Sequence, residues 1–96
     1  LEVLNKDGSW IKVEPSSNAI VCNIGDMMQL VTDKNLVSTT HRVIQDTKAK
    51  SKARYSIPFF LHPAPSVMLK SIFRDDDEGI SADEFLDERL KAIKLY

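Results

Sequence analysis

Cysteine is all but absent, with Cys22 the only one in 96 residues. A lone thiol excludes an internal disulfide framework and a multi-cysteine zinc site, and Cys22 is expected as a small buried apolar residue on a strand. An excess of charge of either sign is also lacking. Thirteen Lys and Arg against 14 Asp and Glu leave a formal net charge of −1, so neither nucleic acid nor an anionic membrane is an expected partner. No apolar run approaches the length of a bilayer span and no signal peptide is visible, which makes the cytoplasm the expected location. There is no internal repeat and no low-complexity segment. What is present, 43% hydrophobic and 28% charged residues, is the balance of a globular chain with one modest core.

Leu1-Glu2-Val3-Leu4 alternates like a strand already under way, without an initiator methionine or polar lead-in. A piece of a longer polypeptide is therefore expected. Asn5 to Ser9 is turn chemistry, with Asp7-Gly8 supplying the positive φ of a tight hairpin, and Trp10 to Val13 is the returning strand. Ala19 to Ile24 is nearly all apolar, as in a strand covered on both faces. Met27, Leu30 and Val31 allow a helical turn. Leu36 to Ile44 is expected as a strand carrying His41. Gln45 to Ala53 is a lysine-rich solvated loop. Arg54 to Leu61 reads as another strand, at an edge or bent, because Pro58 cannot donate to a central ladder.

Val67 to Leu69 suggests a further short extended piece, and Asp75-Asp76-Asp77-Glu78 a mobile acidic loop whose spacing does not match a calcium site. Ser81-Ala82-Asp83-Glu84 is a capping box that opens a helix with Ala82, Phe85, Leu86, Leu90 and Ile93 on one face. Short strands separated by turns and followed by one helix indicate a mainly β, antiparallel architecture with a C-terminal α-helix.

His41 alone is a weak signal, since histidine has many structural uses, and His62, before a proline, reads as a surface residue. Arg54 alone reads as a surface or salt-bridge residue. Arg54 and Ser56 together mean more. Strand residues two apart share a face, so a guanidinium fork and a hydroxyl can grip one carboxylate.

Ser38-Thr39-Thr40-His41-Arg42-Val43, with Arg54-Tyr55-Ser56-Ile57-Pro58-Phe59-Phe60 beginning 13 positions after the histidine, resembles the C-terminal half of the iron(II)/2-oxoglutarate-dependent dioxygenases. The branch it is similar to contains isopenicillin N synthase and the plant gibberellin and flavonoid oxygenases. The opening hairpin, Asn23-Ile24-Gly25-Asp26-Met27 and the closing helix from Glu84 to Leu90 also resemble that family, in the same order. The resemblance implies that residues 1–96 form part of a double-stranded β-helix, or jelly roll. It implies that His41 is one ligand of a two-histidine, one-carboxylate iron(II) site. Arg54 and Ser56 would bind the far carboxylate of the co-substrate 2-oxoglutarate, and Phe60 would line the pocket of a small organic substrate oxidised with O2 to give succinate and CO2.

The pattern is incomplete. The family's His-x-Asp motif is absent here, because neither His41 nor His62 is followed two residues later by an acid. The expectation is a C-terminal portion that is inactive alone and that pairs with the missing N-terminal part of the same enzyme or with itself. A non-catalytic jelly-roll domain serving in binding or assembly is the alternative from a different class.

Overall fold

The computed structural model describes residues 1–45 and 52–95, so most of the lysine-rich loop lies outside the described residues. The chain divides into two compact units. Leu1–Asn23 with Thr39–Phe59 forms one, and Ile24–Ser38 with Phe60–Tyr96 forms the other.

The first unit is built on the expected hairpin. β1 (Glu2–Leu4) and β2 (Trp10–Lys12) pair antiparallel, with Val3 opposite Ile11 and Leu4 opposite Trp10. Gly8, at φ 89°, takes the left-handed backbone that the turn requires. The Asp7 carboxylate fastens the turn by accepting from the Ser9 amide at 2.8 Å and from the Ser9 hydroxyl. β3 (His41–Arg42) adds antiparallel to the free edge of β1, giving the order β2-β1-β3.

Three expectations in this unit need correction. β3 is two residues long rather than the full span from Leu36 to Ile44. Ala19 to Ile24 forms no strand, Ile20 is 89% exposed, and Cys22 is exposed rather than buried. Arg54 to Leu61 is likewise not in a strand, with Ile57 97% and Phe59 87% exposed. The physical reason is common to all three. A strand exists only where a neighbour accepts its ladder: β3 extends no further than its pairing with β1, and among the described residues no strand pairs with Ala19 to Ile24 or with Arg54 to Leu61.

The second unit contains the buried core. α1 (Asp26–Val31) starts after Gly25, and its last turn is closed by Thr32, whose hydroxyl donates to the Met28 carbonyl at 2.7 Å. β4 (Met68–Leu69) and β5 (Ile80–Ser81) pair antiparallel, with Leu69 opposite Ile80. α2 (Ala82–Ala92) follows at once. Ser81 caps it as expected, its hydroxyl accepting from the Glu84 amide at 3.2 Å, while the Glu84 carboxylate accepts from that hydroxyl at 3.1 Å. Two further first-turn amides, those of Ala82 and Asp83, donate to the Val67 and Pro65 carbonyls, so the orphan donors of the helix start are largely satisfied. Leu69, Ala82 and Phe85 are buried, with Met27, Val31 and Ile80 packed against them. Ile93, expected on the inner face, is the C-cap and remains exposed because the helix ends at Ala92.

The connector that contains the acidic run is laced by hydrogen bonds around Asp77 and, beside the run, Arg74 and Ser71. Arg74 forks onto Asp33, its Nε and Nη2 donating to the two carboxylate oxygens at 3.2 and 3.1 Å. The Ser71 hydroxyl donates to the same carboxylate and accepts from the Phe73 and Arg74 amides. Asp77 accepts from the Ser71 and Gly79 amides at 2.8 and 2.9 Å. Arg74 and then Ser71 hold the Asp33 carboxyl below the usual range, and the two amide donors do the same for Asp77. Gly79 sits at φ 78°, where a Cβ would meet the Leu69 carbonyl oxygen at 2.8 Å.

Two outcomes follow. Gly79→Ala should cost ~1–3 kcal/mol through strain and overpacking, read as a lowered thermal midpoint, and an unchanged midpoint would contradict the close approach. Because Asp33 and Asp77 titrate lower in the fold than the ~3.9 of an unfolded aspartate, their contribution is complete above that value and is lost as pH falls through the folded values. Asp33→Asn should therefore flatten the acid limb of a stability–pH curve below about pH 4 and leave its shape at neutral pH alone.

Candidate metal and co-substrate site

β1 decides how His41 is presented. In antiparallel pairs, residues directly opposite share a face and successive residues alternate. Val3 lies opposite both Ile11 and His41, and Glu2 lies opposite both Lys12 and Arg42. One face of the sheet therefore carries Val3, Ile11 and His41. The other carries Glu2, Leu4, Trp10, Lys12 and Arg42.

The imidazole of His41 is exposed, with Nδ1 3.0 Å from the Thr39 carbonyl oxygen. A carbonyl only accepts, so Nδ1 is the donor in this contact, and in the neutral imidazole the lone pair then lies on Nε2. This is the arrangement of a metal-ligating histidine, in which a hydrogen bond to one nitrogen orients the other toward the ion. The residue fits iron(II) as one imidazole ligand. Among the described residues no group of three or more His, Cys, Asp or Glu side chains could hold a metal ion.

Next to it, Arg42 makes the contacts that the sequence did not reveal. Its Nε and Nη2 each lie 2.9 Å from Glu2 Oε1, and its guanidinium is 3.8 Å from the centroid of the Trp10 ring. Only the strand register brings these three residues together. Hairpin turn chemistry fixes Trp10 against Leu4, but nothing in the sequence shows that Arg42 pairs with residue 2.

Arg54 and Ser56 lie in the first unit with His41, both exposed, in a segment that joins no ladder. Phe60 opens the second unit and is also exposed. His62 is exposed, as expected of a surface residue, with Nδ1 near the Pro63 carbonyl. A cleft of about 340 Å³ in the second unit is lined by residues that include Asp26, Lys34, Phe85 and Arg89. None of the candidate residues borders it.

The sequence pattern of the 2OG-Fe(II) oxygenase superfamily matches residues 1–63, which include His41, Arg54, Ser56 and Phe60. A crystal structure of a 2OG-Fe(II) oxygenase family protein from Caulobacter crescentus superposes with a TM-score of 0.86 at 40% identity, covering 96% of this chain and 33% of that one. A 2-oxoglutarate-dependent dioxygenase of Didymella fabae is 34% identical over 93 residues, which is 90% of this chain and 28% of the relative. Flavanone 3-dioxygenase 2 of Oryza sativa subsp. japonica is 36% identical over 94 residues, 95% of this chain and 26% of the relative.

The chain belongs to the 2OG-Fe(II) oxygenase superfamily. Its antiparallel strands and closing helix are part of that family's jelly roll with a C-terminal α-helix. It spans about a quarter to a third of the length of the relatives named above.

The tautomer can be checked directly. Long-range ¹⁵N–¹H correlation spectra of the metal-free protein with its imidazoles neutral should show His41 protonated at Nδ1. A pattern protonated at Nε2 would mean that the Thr39 carbonyl does not orient the ring.

Proposed function

We propose that residues 1–96 are the C-terminal portion of an Fe(II)/2-oxoglutarate dioxygenase that oxidises a small organic substrate with O2, giving succinate and CO2. The observation that carries this reading is the His41 ring, tied at Nδ1 and open at Nε2, within a stretch that matches the oxygenase family.

When bound, iron(II) supplies the redox chemistry that couples oxidative decarboxylation of 2-oxoglutarate to oxidation of the substrate. The chain's own residues bind and orient. His41 supplies one neutral imidazole through Nε2. The Arg54 fork and the Ser56 hydroxyl grip the far carboxylate of 2-oxoglutarate, which fixes the rotation of the co-substrate about its long axis. Phe60 offers an apolar wall to the substrate. The remaining metal ligands come from an N-terminal part carrying a His-x-Asp motif, so residues 1–96 alone are inactive. Exposed Ile20, Ile57, Phe59 and Leu61 support a covering partner, either that upstream part or, for the isolated chain, another copy. Among the described residues no helix is long and apolar enough to cross a membrane, and a cytoplasmic setting suits a chain with one unpaired thiol.

The test uses the full-length protein. His41→Ala should lose iron-dependent turnover of 2-oxoglutarate. Arg54→Lys, which keeps the charge but not the fork, should raise the KM for 2-oxoglutarate ~10-fold or more while iron binding is retained. Unchanged kinetics in both variants would refute the residue assignments, whereas an unmodified full-length protein without iron-dependent turnover of 2-oxoglutarate would put the non-catalytic reading in its place.

A further inference from the structure

Resting on the reading of His41 as a metal ligand, we propose that Arg42, Glu2 and Trp10 form a register clamp that aims its imidazole. β3 has only two residues, and its ladder with β1 consists of Glu2 opposite Arg42 and Val3 opposite His41, continued by the Leu4 amide donating to the Thr40 carbonyl at 2.8 Å. So short an edge strand fixes its register weakly through the backbone alone. A slip of one residue would turn His41 to the face of Trp10 and bring Arg42 to the face of Val3 and Ile11.

The side chain of Arg42 opposes that slip because it touches both of the other strands. It meets Glu2 on β1 with two nitrogens at 2.9 Å, then passes over β1 to lie 3.8 Å from the Trp10 ring centroid on β2. These contacts form together only in the observed register. Since neighbouring strand residues point to opposite faces, holding Arg42 on one face commits His41 to the other. A planar guanidinium can donate along its edge and stack by its face at once, which an ammonium cannot. The three residues act through His41 and are positioning residues.

The full-length protein, titrated anaerobically with cobalt(II), tests this. Arg42→Lys and Trp10→Leu should each weaken cobalt(II) binding ~10-fold, the scale on which groups that orient a ligand act. They should also move the paramagnetically shifted ring-proton resonance of His41, in samples whose far-UV circular dichroism is native. Trp10→Phe, which keeps a ring beneath the guanidinium, should return both readouts close to the original, and Arg42→Lys stands in if Trp10→Leu does not fold.

His41→Ala separates the two levels. If it binds cobalt(II) like the unmodified protein, the metal-ligand reading itself fails. If it loses the metal while Arg42→Lys and Trp10→Leu keep both the affinity and the resonance position, the ligand stands and the clamp is overturned. A Trp10→Phe protein as impaired as Trp10→Leu would also overturn it.

Discussion

The orientation of His41, the candidate metal ligand, depends on β1 being paired along both edges. Three residues, Glu2 to Leu4, serve as the template for β2 on one side and β3 on the other. Antiparallel pairing converts sequence position into facing: whatever stands opposite Val3 joins one surface, and whatever stands opposite Glu2 joins the other. The chemistry of His41 and the ionic contacts of Arg42 are adjacent in sequence yet separated by the thickness of the sheet. No side chain of this unit is fully buried among the described residues, so backbone pairing and the contacts of Arg42 hold its form where a hydrophobic core does not.

The second unit is ordered by a different means. Phe85, Ala82 and Leu69 make a small apolar centre, and the connector between β4 and β5 is folded by charge. Asp33, at the end of the α1 turn, takes a guanidinium fork and a hydroxyl, while Asp77 takes two amides. Each carboxylate meets several donors, and the shared Ser71 links them into one network. Exposed ion pairs taken singly are worth little. Here their geometry matters more than their number, because they set the path of the backbone that delivers Ile80 and Ser81 to the start of α2.

What could be read from the sequence was what is encoded locally. The Asp7-Gly8 turn and the Ser81 to Glu84 cap each carry their partners within a few residues, and both formed where expected. Phe85 and Ala82 were recoverable from helical spacing for the same reason. The expected strand at Arg54 to Leu61 and the expected burial of Cys22 did not form, because each requires a neighbour that the described residues do not supply. Around the acidic run the partners are split: Asp77 takes the nearby Ser71 and Gly79 amides, but Arg74 looks unremarkable until the distant Asp33 is brought beside it. The candidate site shows the same division. His41, Arg54, Ser56 and Phe60 are candidates that the family resemblance singles out, whereas Arg42, Glu2 and Trp10 meet only through strand register.

Pro58 has a consequence beyond breaking a strand. It sits between Ile57 and Phe59 in an exposed apolar stretch that continues through Phe60 and Leu61. Five such residues with free amides would stack readily into a dry cross-β zipper of identical copies. An imide nitrogen at the second position removes one rung from every layer of such a stack, and Pro63 and Pro65 close off its extension beyond His62. The same residue that prevents Arg54 to Leu61 from serving as an interior strand thus acts as a gatekeeper against fibrillar self-templating while the segment is uncovered.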